Sequence, residues 1–174
     1  MPSTGPGAPR PLSIALLPIL RSHHDDLPEA VRRGVALGVP DEPSARALCD
    51  EAIRLMTAPE RAEVIGGWWA IHTGEGGDHA VGSCGLKAEP DAHGVVEIAY
   101  YTFPAFQGRG VARAMVAAMI ETLRGRARLV IAHTLREKNA SRAVLRASGF
   151  SFAGPVIDPD DGPVWRWERR LDGG

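Results

Sequence analysis

The sequence predicts a single mixed α/β or α+β domain organised around one sheet. Hydrophobic residues make up 44% of the 174 residues and charged residues 24%, an ordinary balance for one globular core. Apolar runs of strand length alternate with amphipathic stretches, which gives the element order βααβββαβαββ. We therefore expect one domain over residues 12–174. A flexible tail rich in Pro and Gly is expected over residues 1–11.

The first half of the chain is expected to form an edge of the sheet and two helices. A strand is expected over residues 12–20, at a sheet edge because of Pro18. Two helices should follow, one over residues 28–37 and one from residue 41 to about Met56. The next predicted elements are two strands over residues 68–73 and 80–87, joined by a glycine-rich hairpin turn.

The second half of the chain is expected to carry the central strand and the remaining elements. These are a strand from residue 95, a helix between Gly110 and Gly125, a strand over 128–135, a helix over 139–148 and strands over 150–153 and 164–169. The last two strands are separated by a turn-rich segment, residues 155–163.

Charge and cysteine content narrow the class of function. A net charge of −1 argues against a general binder of nucleic acid or of a membrane surface. The two cysteines, Cys49 and Cys84, form no disulfide framework and suit a reducing compartment. No run approaches the roughly 18 apolar residues of a membrane span, and we find no export signal. A cytoplasmic protein is expected, either a monomer or a homodimer.

The loop between the central strand and the next helix carries the strongest functional signal. It reads Gln107-Gly108-Arg109-Gly110 and runs directly into the helix. Unsatisfied N–H groups and the positive end of the helix dipole favour a phosphate group at such a place. The glycines let the backbone approach closely, and Arg109 and Arg113 can add charge-assisted contacts. A plain strand-to-helix turn is the structural alternative.

Two spaced patterns carry a resemblance to a known family. The loop lacks the P-loop ending and has Arg113 where a dinucleotide fingerprint requires a third glycine. It resembles instead the pyrophosphate loop of the GNAT superfamily of acyl-CoA-dependent N-acyltransferases, through Gln107, Gly110 and Ala112. A second block, Asn139-Ala140-Ser141 followed by Gly149-Phe150, resembles the branch of the ribosomal-protein N-terminal acetyltransferases (RimJ and RimL type).

The resemblance implies a fold, a reaction and a set of cofactor contacts. The fold would be α+β, with one mostly antiparallel sheet of about seven strands and four flanking helices. The reaction would move an acetyl group from acetyl-CoA to an amine without a metal. Backbone amides of the loop would bind the pyrophosphate, and pantetheine would lie along the central strand. The residues assigned to coenzyme A are Tyr101, Thr102, Phe103, Gln107, Gly108, Arg109, Gly110, Val111, Ala112, Arg113, Asn139 and Arg142.

Glu97 is the candidate general base. Strand alternation places it on one face with Ala99, Tyr101 and Phe103, so we expect a carboxylate among apolar neighbours. It lies ten positions before Gln107, close to where several GNAT members carry a catalytic glutamate. The alternative is a strand glutamate that faces solvent or pairs with an arginine such as Arg128.

The proton donor for the departing thiolate is expected to be Ser141. Many GNAT enzymes place a tyrosine four residues before the Gly-Phe pair, and this chain has Leu145 there. Asn139 would hold pantetheine or a water. The alternative for this pair is structural, with Asn139 as a helix cap, and both interpretations can hold together. Likewise, Arg142 belongs to a basic cluster that is either a 3′-phosphate contact or a solvated face.

The remaining candidate groups receive structural interpretations. His72, His79, His93 and His133 show no metal-ligand spacing. The acidic segment from Asp158 to Asp161 is expected to be a solvated turn that could rim an amine site.

The leading functional hypothesis is an N-acetyltransferase acting on a protein N-terminus or a small-molecule amine. An α-amino group has a pKa of about 7.7–8.0 against about 10.4 for a lysine side chain, so one carboxylate suits the former better. A non-catalytic acyl-CoA sensor and a Rossmann-type nucleotide-binding domain are the alternatives.

Overall fold

The structure is a computed structural model, and it describes residues 12–18, 67–74, 77–137, 139–159 and 161–171. These ranges contain seven strands, two α-helices and one 3₁₀ helix. In chain order they are β1 (Ala15–Pro18), β2 (Trp68–Gly74), β3 (Gly77–Leu86), β4 (Val95–Thr102), the 3₁₀ helix (Pro104–Phe106), α1 (Val111–Leu123), β5 (Leu129–Leu135), α2 (Ala140–Ala147), β6 (Ser151–Asp158) and β7 (Gly162–Arg170). The predicted tail over residues 1–11 and the two helices predicted between residues 28 and 56 lie outside the described residues.

The seven strands form one sheet in the order β1-β2-β3-β4-β5-β7-β6. Every neighbouring pair is antiparallel except β4 and β5, which are parallel. This confirms the predicted α+β class with one mostly antiparallel sheet. The Rossmann-type alternative is wrong, because a doubly wound domain needs a mostly parallel sheet. No helix in the described part of the chain is long and apolar enough to cross a membrane.

The two helices pack on one face of this sheet. α1 buries an apolar stripe that includes Met115 and Met119, and α2 buries Leu145. These side chains join a core with residues of alternating strand positions, such as Val96 on β4 and Val130 on β5. The intervening positions of these two strands, among them Glu97, lie on the opposite face.

β4 and β5 separate part of the way along the sheet. They pair only at Val95↔Leu129, Val96↔Val130 and Glu97↔Ile131. Beyond this point β4 continues to Thr102 on the antiparallel partner β3, and β5 continues to Leu135 on β7. We call the resulting gap, between β4 residues 98–102 and β5 residues 132–135, the β4–β5 split. It leaves one edge of each strand without the other as a hydrogen-bonding partner.

The closing strand pair is longer than the sequence predicts. Residues 155–158, predicted to be part of a turn, continue β6, and the connection to β7 covers only residues 159–161. Proline predicted the turn, but Pro155 is tolerated here because β6 is the last strand in the sheet order and its missing N–H removes no required ladder bond. Of the expected strand over residues 12–20, only Ala15–Pro18 is observed as a strand among the described residues; residues 12–14 lie outside it, and β1 forms the other edge of the sheet.

Candidate active site

The glycine loop ends in a helix whose first amides are free of internal partners. Gly108 and Gly110 have φ values of 72° and 79°, in the left-handed region that favours glycine. Gly110 is the N-cap of α1 and supplies no side-chain capping bond, and the first helical hydrogen bond runs from the N–H of Ala114 to the Gly110 carbonyl at 3.0 Å. The N–H groups of residues 111–113 therefore have no acceptor within the helix.

The loop is fixed to the rest of the protein on two sides. Nε2 of Gln107 donates to the Thr102 carbonyl at 3.2 Å, which ties the loop to the end of β4. The N–H of Leu12 donates to the Arg109 carbonyl at 3.0 Å. The Gln107 side chain thus braces the loop, and the sequence pattern gave no sign of the contact with Leu12. A loop held in this way presents its amides without having to be ordered by the ligand.

The end of β4 offers free polar groups on the β4–β5 split. Oγ1 of Thr102 is buried and has no hydrogen-bond partner among the described residues. Phe103, by contrast, is fully buried, its N–H donates to Val81 and its carbonyl accepts from Phe106. Of the three residues assigned to pantetheine, Thr102 has the N–H that points to the split, because Phe103 and, by alternation, Tyr101 face β3 and the Thr102 carbonyl accepts from Gln107. An orphaned hydroxyl beside an unpaired edge and a glycine loop fits an elongated polar ligand such as coenzyme A.

The start of α2 faces β4 across the split. The Asn139 side chain accepts a hydrogen bond from the N–H of Arg142 at 3.3 Å, so its predicted capping role is confirmed. The hydroxyl of Tyr100 donates to the Ser141 carbonyl at 3.4 Å, and burial raises the pKa of Tyr100 to about 12. Tyr100 consequently keeps its proton at neutral pH. Leu145, at the position of the usual GNAT tyrosine, is fully buried in the core.

The guanidinium group of Arg142 packs over an aromatic ring. It lies 4.1 Å from the ring centroid of Trp165 on β7, and the guanidinium group of Arg146 lies 5.6 Å from that of Trp167. Such cation–π contacts are worth about 0.5–1 kcal/mol at exposed sites. Arg142 thus has a structural partner, and its assignment to the 3′-phosphate stays a prediction.

Glu97 belongs to a cluster of charged groups at the closed end of the split. Its Oε1 lies 2.7 Å from Nζ of Lys87 and 3.1 Å from Nδ1 of His133. Oδ2 of Asp158 lies 3.4 Å from the same Nδ1 and 3.7 Å from the same Nζ. The expected apolar surroundings of Glu97 are therefore wrong, and its cationic partner is Lys87 rather than Arg128. We call these four residues the acid–base cluster.

The acid–base cluster already contains its own cation. Burial would lower the pKa of Lys87, but the hydrogen bond that it donates to Glu97 and the charges of Glu97, Asp158 and Asp161 together raise it. Ligand atoms of Glu97, His133 and Asp158 lie within 4.8 Å of one another, as in a metal centre. Nζ of Lys87 contacts the same carboxylate oxygens that a metal would need. We therefore interpret the cluster as an ion-pair network.

Three of the four cluster members were not among the site residues predicted from the sequence. Asp158 was expected in a solvated turn, but it is buried near the end of β6. His133 was taken for an isolated strand histidine. Strand alternation could have placed it on the face of Ile131, the partner of Glu97, once β4 and β5 were known to be neighbours. Lys87 directly follows β3 and Asp158 is the last residue of β6, and the register of these strands is not encoded locally in the sequence.

Comparison with known proteins identifies the family. The sequence model described as "Acetyltransferase (GNAT) domain" matches residues 14–151. The chain therefore belongs to the GNAT acetyltransferases, and it is an acyl-CoA-dependent N-acetyltransferase with acetyl-CoA as its co-substrate. This assignment favours the enzyme over the non-catalytic sensor.

Solved structures share the fold at low sequence identity. A RimL ribosomal L7/L12 alpha-N-protein acetyltransferase is 20% identical with a TM-score of 0.60, covering 94% of this chain and 93% of its own. The microcin C7 self-immunity acetyltransferase MccE, solved with acetyl-CoA and AMP, is 11% identical with a TM-score of 0.61, covering 91% and 92%. A spermidine N-acetyltransferase SpeG chimera from Vibrio cholerae and hSSAT is 14% identical with a TM-score of 0.60, covering 90% and 95%. A search of curated protein sequences found no match.

Proposed function

We propose that this protein transfers the acetyl group of acetyl-CoA directly to a primary amine, on a protein N-terminus or a small molecule, within a ternary complex. This proposal rests on a continuous series of polar groups without protein partners, which follows the path that a bound acetyl-CoA would take. It runs from the uncapped N-terminus of α1, past the unpaired edge of β4 with its orphaned Thr102 hydroxyl, to the acid–base cluster. The amides would bind the diphosphate, and the strand edge would bind the pantetheine arm.

The path has the chemical groups that amide formation requires. Acetyl-CoA supplies an activated acyl group with a thiolate leaving group. Beyond Glu97, the β4 backbone N–H groups that point away from β3 lack a partner on β5 and can stabilise negative charge on the carbonyl oxygen. The acid–base cluster can accept a proton from the amine. Ser141, at the start of α2, is the proposed proton donor for the departing thiolate, with Asn139 beside it.

The kind of amine can be narrowed by the strength of base that the site offers. In the cluster an ammonium group already neutralises one of the carboxylates. A site of this strength suits an α-amino group, with an ordinary pKa of about 7.7–8.0, better than a lysine side chain near 10.4. Proteins that share the fold include one named for a ribosomal protein α-amine and one named for spermidine. Both kinds of acceptor therefore belong in the test.

The test is an assay of thiol release from acetyl-CoA with three amines. These are a peptide with a free N-terminal serine, the same peptide with a blocked N-terminus and one internal lysine, and spermidine. We expect turnover with at least one acceptor and, at pH 7, a higher kcat/KM for the α-amine than for the lysine side chain. A protein that binds acetyl-CoA in a calorimetric titration but acetylates none of a broad amine panel would contradict the proposal.

The role of Ser141 is tested by its own pair of variants. Ser141→Ala should lower kcat while leaving the KM for acetyl-CoA within about twofold. Ser148→Ala is the matched control, because Ser148 is the C-cap at the far end of the same helix. Equal kcat values for the two variants would exclude Ser141 as the proton donor and leave it a residue of the first helical turn.

A further inference from the structure

We propose that His133, on β5, is the general base that takes the proton from the attacking amine, and that Glu97 and Asp158 orient its imidazole ring. The proposal rests on the proposed acetyl transfer and names the proton acceptor within it. It also reassigns Glu97, the sequence-predicted base, to a positioning role.

The position of His133 places it beside the reacting groups. β4 and β5 pair in register up to Glu97↔Ile131 and then separate. His133 follows Ile131 by two positions and lies on the same face of the sheet as Glu97. If the pairing continued, its partner would be Ala99. His133 therefore lies on β5 just beyond the last β4–β5 pair, opposite the β4 edge that is proposed to bind the acyl donor.

The two ring nitrogens of His133 have different surroundings. Nδ1 lies 3.1 Å from a Glu97 oxygen and 3.4 Å from an Asp158 oxygen, so two carboxylates lie at ion-pair distance from this side of the ring. Nδ1 and Nε2 are both buried, and neither makes a hydrogen bond among the described residues, so only Nδ1 is distinguished by the neighbouring carboxylates. A buried polar atom without a partner destabilises the fold, so its presence calls for a reason. A histidine with carboxylates beside one nitrogen and no protein partner at the other has the arrangement expected of a general base.

Charge balance favours the imidazole over Glu97 as the proton acceptor. The Glu97 carboxylate is paired with the Lys87 ammonium group at 2.7 Å, so its oxygen already has a cationic partner. With a neutral His133, two carboxylates and one ammonium leave the cluster with one excess negative charge. Proton uptake on His133 cancels this charge. On β7, Arg166 is in register with His133 but pairs with Glu168 at 2.8 Å, so its charge is already matched.

The proposed step is balanced in atoms and electrons. The lone pair of the neutral amine forms a bond to the acetyl carbonyl carbon. One proton of the resulting N–H⁺ group passes to Nε2 of His133, and the carbon–sulfur bond breaks with its electron pair on sulfur. The thiolate then takes up a proton from the Ser141 hydroxyl, which regains one from solvent, and the products are the amide and free coenzyme A. The imidazolium returns its proton to solvent before the next turnover.

The experiment uses the full chain with acetyl-CoA and the fastest amine from the panel above. We expect His133→Gln to lower kcat/KM for the amine by roughly 10²–10⁴-fold, with the KM for acetyl-CoA changed less than twofold. The acidic limb of the wild-type pH–rate profile should disappear in this variant. His93→Gln is the matched control, because His93 is exposed in the turn before β4. It should keep the wild-type rate and pH profile.

Chemical rescue provides a second, independent variant. The activity of His133→Ala should rise with added imidazole, since a small base can occupy the space of the deleted ring, whereas the activity of Glu97→Gln should not. A loss of less than fivefold in His133→Gln, or no response of His133→Ala to imidazole, overturns the proposal even if the wild-type enzyme is active. The absence of wild-type turnover with every amine would instead count against the proposed function itself.

Discussion

A substitution of Gly108 by alanine tests whether the glycine loop binds the diphosphate of acetyl-CoA. Gly108 has φ 72°, and a Cβ built there meets no atom within 4 Å. The substitution therefore introduces backbone strain without a steric clash. Gly125, just beyond the C-terminal end of α1, has φ 71° and equally open surroundings. Gly125→Ala is a control with the same chemical change and the same backbone conformation, away from the proposed phosphate site.

The expected magnitudes follow from these two environments. A left-handed conformation costs a residue with a Cβ roughly 1–2 kcal/mol, so each variant should lose about 2–8 °C of Tm at roughly 2–4 °C per kcal/mol. Only Gly108→Ala should also weaken binding. If its Cβ displaces one amide from a phosphate oxygen, the loss of a hydrogen bond to a charged group, about 1.5–3 kcal/mol, corresponds to roughly a 10- to 150-fold higher Kd.

Thermal unfolding and a calorimetric titration with acetyl-CoA measure the two effects separately. The expected result is a similar Tm loss in both variants and a weaker Kd in Gly108→Ala alone. A wild-type Kd in both variants would show that the loop does not contact the diphosphate. A weaker Kd in both would mean that strain in α1 as a whole, rather than local contact, controls binding.

Three further predictions concern stability and reactivity. The pKa of Lys87 is raised above 10.5 by its pairing with Glu97. The ion pair should therefore contribute its full stability below about pH 10 and lose it as the pH rises through the raised pKa. Urea unfolding should show the largest difference in free energy between the wild type and Lys87→Met below about pH 10, and a smaller difference above the raised pKa. Thr134→Val should cost about 1–3 kcal/mol because Nε1 of Trp167 loses its buried acceptor at 3.0 Å, whereas Thr134→Ser should keep most of the stability. Burial raises the pKa of the Cys84 thiol to about 12, so iodoacetamide at pH 8 should label Cys84 only after denaturation, as read by peptide mass spectrometry.

Most of the described helices and strands could be predicted, because their apolar periodicity and their terminating residues are visible in short stretches of sequence. The apolar stripe of α1 and the glycines near its ends specify that helix without tertiary information, and the observed span Val111–Leu123 agrees. Asn139 and Gly149 mark the limits of α2 in the same way. The extent of β6 was missed because the tolerance of Pro155 depends on the place of the strand in the sheet order, which only the folded chain defines.

The candidate site likewise has one part that could be predicted from the sequence and one part that could not. The glycine loop is a contiguous stretch whose backbone requirements appear in the sequence. The acid–base cluster is assembled from four strands or strand ends, and its geometry depends on strand register. Glu97 was found because its strand leads to the loop, whereas Lys87 and Asp158 carry no pattern that links them to it. Contacts between residues more than 60 positions apart, such as Glu97 and Asp158, cannot be derived from local periodicity.

The single parallel strand pair explains why these parts of the site meet. Parallel neighbours require a crossover, and α1 provides it between β4 and β5. Because β4 and β5 run in the same direction, the helices that follow them, α1 and α2, both begin at the same end of the sheet. The antiparallel partners β3 and β7 then hold β4 and β5 along the length of the split. The free amides of α1, the capped start of α2 and the two unpaired strand edges therefore converge on one gap, and the acid–base cluster lies where that gap closes.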